Sequence, residues 1–209
     1  MFDPTQIFFL VAIIFSAILH EYCHGWMADR LGDPTAKLAG RLTLNPIPHI
    51  DPIGTLLLPL LLLVLPGNSV LFAYAKPVPV NPYNLRNPKR DSGIVAFAGP
   101  AVNFLVALLL GTVLQHVPLG PFVQYLAIAV FANVMLAVFN LIPIPPLDGS
   151  KVFFAGLPDR FHNVQVFLET YGLWLMLPLI FFAYPLIFPV LDFFFNLFTG
   201  ALWVSGRRP

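Results

Sequence analysis

Apolar residues in this chain come in long blocks, separated by short polar breaks rich in proline. The first block runs from Ile7 to Ala28, and before His20 its only polar residue is Ser16. At about 1.5 Å per residue, a helix of roughly 22 residues spans a hydrocarbon core. Gly93–His116 and Phe122–Ile142 repeat the pattern, the second of these ending at Pro143. Two further apolar stretches follow, Val164–Tyr184 and Leu186–Val204, the latter interrupted by Pro189 and Asp192. The pattern predicts an all-α bundle of about five full spans. Two stretches fit no span. Ile53–Leu65 is too short and contains Pro59, which suits a re-entrant or interfacial segment. Val70–Val80 is β-branched and aromatic, with Pro77 and Pro79 tolerable only at an edge, and predicts a short membrane-associated β element. The polar breaks are Asp29–Pro52, with prolines at 46, 48 and 52, then Asn81–Asp91, then Lys151–Asn163. Neither repeats nor low-complexity tracts occur.

Composition narrows the class. Of 209 residues, 58% are hydrophobic and 10% charged, and the mean hydropathy is +0.81. Soluble domains carry about a quarter charged residues, so this is an integral membrane protein. No polar segment is long enough to fold by itself, and residues 1–209 are expected to form one membrane-embedded domain. A net charge of +1 without a basic stripe gives no reason to expect nucleic acid. The lone Cys23 excludes an internal disulfide framework. Met1–Gln6 lacks Lys and Arg and precedes no small-residue cleavage site, so the first span is not expected to be a cleaved leader.

The first span carries His20-Glu21-Tyr22-Cys23-His24. On a helix the two imidazoles sit one turn apart on one face and can share a metal ion. Glu21 beside them suits a general base acting on a metal-activated water. Ionisable groups at membrane depth are costly and usually functional, which raises this motif above its chance occurrence in soluble helices. Asp148 is the matching third ligand, delivered on the bent segment Pro143–Gly149 after the third span. Cys23, at an intervening position, is expected to be a packing residue. His49 with Asp51 is expected to be satisfied within its proline-rich loop. Asn103, four residues after Gly99 among small residues, either bridges helices or serves the metal site.

Charge and parity set a topology. If His20, His24 and Asp148 share one ion, the first and third full spans leave on the same face. The second full span then starts on that face, so Asp29–Asp91 returns to its own side. All 11 Lys and Arg then share one face if the last two stretches both cross, and the positive-inside rule makes that face cytoplasmic. The expectation is a multi-pass protein of the inner cell membrane with its N-terminus outside.

With these motifs the chain resembles the site-2 protease family of intramembrane zinc metalloproteases. The resemblance rests on His20–His24, on Asn140-Leu141-Ile142-Pro143-Ile144-Pro145-Pro146-Leu147-Asp148-Gly149, and on Phe97-Ala98-Gly99-Pro100-Ala101-Val102-Asn103 between them. It covers about residues 7–155 and is closest to the short prokaryotic type without PDZ or CBS domains. The resemblance implies one Zn2+ ion held by His20, His24 and Asp148, with Glu21 as base and Asn140 as a substrate or oxyanion contact. It also implies protein substrates cut within or near transmembrane segments, which must be unwound and held, for instance by strand addition to Val70–Val80. Association of copies stays open. The rival readings are a metal transporter, a zincin using Glu169, and an inactive scaffold that binds transmembrane helices.

Overall fold

The computed structural model of the protein describes residues 3–64, 75–116, 120, 122–182 and 184–200. Helix α1, Pro4–Leu31, opens with Pro4 at its first position and Asp3 as cap, the Asp3 carboxylate accepting from Thr5 N at 2.9 Å. It closes on Gly32, whose φ of 112° lies in the left-handed region. A short helix α2 (Thr35–Leu38) follows. A wide π turn over Pro52–Leu57 then runs into α3 (Leu58–Val64). Helix α4, Pro88–His116, starts earlier than its apolar block. Asn87 accepts from Arg90 N at 3.3 Å, and Asp91 reaches back to Asn87 N at 2.8 Å, so these two amides at the helix start are satisfied. Then come α5 (Val123–Asn140), α6 (Asp148–Gly156), α7 (His162–Phe182) and α8 (Tyr184–Thr199).

Three of these helices, α1, α4 and α5, are long and apolar enough to cross a membrane. Helix α7 has 21 residues and α8 only 16. The described residues therefore carry three such helices rather than the five anticipated. The expected β element is a second difference. Its first part, residues 70–74, lies outside the described residues, and among the described residues there is no strand. Ala75–Val80 has no regular secondary structure and joins no ladder. Its donors explain why: Lys76 N goes to His49 O at 2.8 Å, Val78 N goes to Glu21, and Pro77 and Pro79 have none. The third difference is α6, which stands where a polar connection was expected to begin.

The bundle buries small and apolar residues together with a few polar groups, and turns large apolar side chains outward. On α1, Ile13, Ser16, His20, His24 and Ala28 are buried, whereas Ile7, Val11 and Phe15 are exposed. On α4 the exposed face carries Leu105, Leu109 and Val113, as suits contact with lipid. Small residues let neighbours approach α4 at three levels. Gly93 lies against Ala155 of α6, Gly99 against the two imidazoles, and Gly111 against the Phe198 backbone of α8. A core of Ala107, Val130, Val134, Val138, Leu191 and Phe198 fixes α4, α5 and α8 together.

Candidate metal centre

The three elements that bring the chemistry together are α1, α4 and the start of α6. His20 Nε2 lies 3.0 Å and His24 Nε2 3.1 Å from the same oxygen, Asp148 Oδ2. Ligands on a tetrahedral ion at about 2.0–2.1 Å are separated by roughly 3.3 Å, and the two nitrogen–oxygen edges of this triangle are close to that length. Both rings are held from behind. His24 Nδ1 donates to Val95 O at 2.7 Å, and His20 Nδ1 lies 2.7 Å from Asn103 Oδ1. A carbonyl only accepts, so the proton of neutral His24 is on Nδ1 and its Nε2 presents a lone pair to the carboxylate. A divalent cation is the natural occupant where such electron-pair donors converge, and the donor set fits it.

Gly99 makes this closeness possible. A Cβ there would stand 2.6 Å from His20 Cε1, His20 Nε2 and His24 Cε1, so the α4 backbone forms the floor under both rings. Pro100 adds a backbone feature, since it cannot donate to Ala96 O one turn earlier. Asp148 is aimed by a different close approach. It is the first residue of α6, and a Cβ on Gly149 would collide with the Leu141 carbonyl. Gly149 is thus needed for backbone contact across the Pro143–Pro146 turn.

Glu21 stands beside the triangle. One of its oxygens accepts from Val78 N at 2.7 Å, tying the α1 carboxylate to the Ala75–Val80 segment. His20, Glu21 and His24 each place a ligand atom within 4.8 Å of the others, so this trio could hold a metal ion. Asp148 makes the shorter contacts to both imidazoles. All four residues border a cleft of about 530 Å³, whose walls include Val78, Val80, Leu136, Phe139 and Met176.

Asn140 also lines this cleft, but its Nδ2 donates to Leu136 O on its own helix at 2.9 Å. Cys23 is a half-buried free thiol and is outside the metal-capable trio. His49 and Asp51 are not brought to the site. His49 Nε2 bonds Thr43 O at 2.8 Å, and Asp51 caps the next turn through Ile53 N and Gly54 N. Glu169 is exposed on α7 and accepts from Gln165 at 2.9 Å.

Residues 115–182 match the model of Peptidase family M50, a segment that includes Asn140 and Asp148. Over 189 residues the chain is 35% identical to "Putative zinc metalloprotease YwhC" of Bacillus subtilis (strain 168), covering 86% of this chain and 81% of that one. The chain belongs to peptidase family M50. The resemblance to site-2 proteases drawn from its motifs is therefore correct. A second relative of this M50 member is "Putative zinc metalloprotease Rip2" of Mycolicibacterium smegmatis (strain ATCC 700084 / mc(2)155), 36% identical over 144 residues. That match covers 65% of this chain and about half, 52%, of Rip2. No solved structure matches the chain.

Three features of the M50 site were missed from sequence. They are Val95 O behind His24, Asn133 behind Asn103, and Lys151, which borders the cleft one turn after Asp148. An asparagine in the middle of an apolar span was the available signal for Asn133.

Proposed function

We propose that this M50 member is an intramembrane zinc metalloendopeptidase that hydrolyses peptide bonds within or near transmembrane segments of other proteins. The observation that carries the reading is the convergence of His20 Nε2 and His24 Nε2 on one Asp148 oxygen beside Glu21. In this reading His20, His24 and Asp148 hold a single Zn2+, and Glu21 stays outside the ligand set because Val78 N tethers it. Bound zinc supplies Lewis acidity, activating water at neutral pH and polarising the scissile carbonyl. Glu21 takes the proton of the attacking water and passes it to the departing nitrogen. Asn140 turns its amide from Leu136 O toward the carbonyl oxygen as negative charge develops there.

The apolar walls of the cleft suit a segment drawn from a bilayer. Such a helix has its carbonyls bonded internally, so it must unwind before hydrolysis, and Ala75–Val80, which lines the cleft, is the segment that pairs with it. The finer membrane arrangement belongs to the same proposal: five crossings in the inner membrane, N-terminus outside, cytoplasmic basic loops. It is supported by the way the C-terminal end of α1, the start of α4 and the end of α6 meet at one end of the bundle. Arg86 N bonds Leu31 O at 3.3 Å, and Lys89 Nζ bonds Leu157 O at 2.7 Å. A cysteine placed at Asn87 in a Cys23→Ser background should label from the cytoplasm only, and labelling from outside in intact cells would overturn the orientation.

The function is tested by co-expression with single-span membrane proteins, comparing the parent with Glu21→Gln. The expected result is a truncated product in the parent alone. Equal products from both forms, or none across a broad panel with zinc-loaded parent, would refute it.

A further inference from the structure

Behind His20, the interior of the bundle holds a line of polar groups that leads away from the cleft. His20 Nδ1 lies 2.7 Å from Asn103 Oδ1. Asn103 Nδ2 lies 3.2 Å from Ser16 O and 3.0 Å from Asn133 Oδ1. Asn133 Nδ2 lies 2.9 Å from Ala129 O. Asn103 is 0% and Asn133 2% exposed, so their polar atoms must be satisfied by protein. The line joins α1, α4 and α5, one residue or more from each.

Its polarity can be worked out from its far end. Ala129 O is a backbone carbonyl and can only accept. Asn133 must therefore turn its NH2 to Ala129 and its oxygen to Asn103. Asn103 now faces two acceptors, Ser16 O and Asn133 Oδ1, and must offer its NH2 to both. That leaves Asn103 Oδ1 as the atom facing His20. An amide oxygen cannot donate, so the hydrogen between them is on His20 Nδ1. In the neutral ring the other nitrogen, Nε2, then carries a lone pair directed at Asp148. No alternative amide orientation satisfies all four bonds. One flip would set NH2 against N–H, or oxygen against oxygen, at side chains closed off from the surface.

We infer that Asn103 and Asn133 are positioning residues that select the Nδ1–H tautomer of His20 and fix its ring for metal binding, Asn133 acting through Asn103. The inference rests on the assignment of His20 as a metal ligand above. It gives Asn103 both of the roles weighed for it from sequence. It also gives the Gly99–Asn103 spacing a physical meaning: one helical turn separates the floor beneath the rings from the acceptor behind His20. His24 needs no such device, because Val95 O sets its tautomer directly.

The experiment is competition of a chelator for Zn2+ in the purified, folded protein, with thermal stability measured in parallel. Loss of an outer partner of a metal-bound histidine weakens affinity by about 10–100-fold. Asn103→Leu should fall in that range. Asn133→Leu, one residue further out, should fall near its lower end and serves where Asn103→Leu fails to fold. The separating variant is Asn103→Asp. A carboxylate accepts from His20 but donates to neither Ser16 O nor Asn133, so it should recover most of the zinc affinity while stability stays reduced. If the asparagines only bridge helices, all three variants lose stability and keep parental zinc affinity, which would overturn the inference. Asn103→Asp binding zinc as weakly as Asn103→Leu would also overturn it. His20→Ala keeps the two levels apart: if it binds zinc like the parent, the ligand assignment itself has failed. If it loses zinc while the Asn103 and Asn133 variants do not, only the positioning role has.

Discussion

Substituting Gly99 by alanine adds one methyl group to the middle of α4, and the structure says what it meets. The new Cβ would lie 2.6 Å from three ring atoms of His20 and His24. Carbon atoms in good contact sit at about 3.5–4.0 Å, so something must move by roughly 1 Å. The rings cannot withdraw freely, since His20 is bonded behind to Asn103 and His24 to Val95 O. Helix α4 cannot withdraw freely either, because its neighbours on α6 and α8 rest against Gly93 and Gly111. Overpacking of this kind costs about 1–3 kcal/mol of stability. A displacement of ~1 Å at a reacting centre costs on the order of 10²-fold in rate. Gly99→Ala should therefore fold with a lowered melting temperature and show about 10²-fold weaker turnover per folded molecule, with reduced zinc occupancy. The assay is cleavage of a reconstituted single-span substrate, normalised to folded protein, with metal content measured alongside. Gly156→Ala is the control, because its Cβ would meet nothing within 4 Å. A folded Gly99→Ala protein with parental zinc and turnover would refute the reasoning that α4 forms the floor of the site.

Asn140→Ala should lower turnover by about 10²–10³, as loss of an oxyanion donor does, with zinc content unchanged. If Asn140 only braces helices, turnover would hold and stability would fall by roughly 0.6–1.7 kcal/mol. Asp33 supplies a pH dependence. Burial pushes its carboxyl up, but the Thr35 hydroxyl, the Asn84 amide and the backbone amides of Asn81 and Thr35 outweigh this and hold it below the usual carboxylate range. A carboxyl whose folded pKa is depressed contributes stability above its unfolded pKa of about 3.9 and loses it as pH falls through the folded value. Asp33→Asn should thus be less stable than the parent at neutral pH by about 1–3 kcal/mol, with the gap narrowing below roughly pH 4 in thermal melts. A gap that stays constant down to acid pH would contradict this.

Much of the site was legible because helix geometry ties spacing to direction. His20 and His24 had to share a face, and a carboxylate after a proline-broken span had few places to go. The long apolar blocks located α1, α4 and α5 to within a turn or so, except where α4 extends back to Pro88. That extension had a signature in Asn87-Pro88 followed by Asp91, the same cap-then-proline grammar as Asp3-Pro4, but the charges of Arg86, Lys89 and Arg90 masked it. Helix α6 was hidden for a similar reason, as a short helix beginning at Asp148 beside a polar stretch. The Val78 tether on Glu21 could not be read at all. It depends on the chain returning 57 residues later, and spacing within α1 carries no information about it. The same holds for the polarity of the asparagine line, which is decided by a carbonyl at Ala129 on another helix.

The central claim is that Asp148 completes a two-histidine zinc site while Glu21 stays outside it. Both carboxylates lie near the imidazoles, so counting zinc in purified, folded variants tests the division most directly. Glu21→Gln should hold about one zinc per chain, like the parent, and be inactive, whereas Asp148→Ala should hold far less. Stoichiometric zinc in Asp148→Ala, with loss in Glu21→Gln, would exchange the two roles and contradict the account.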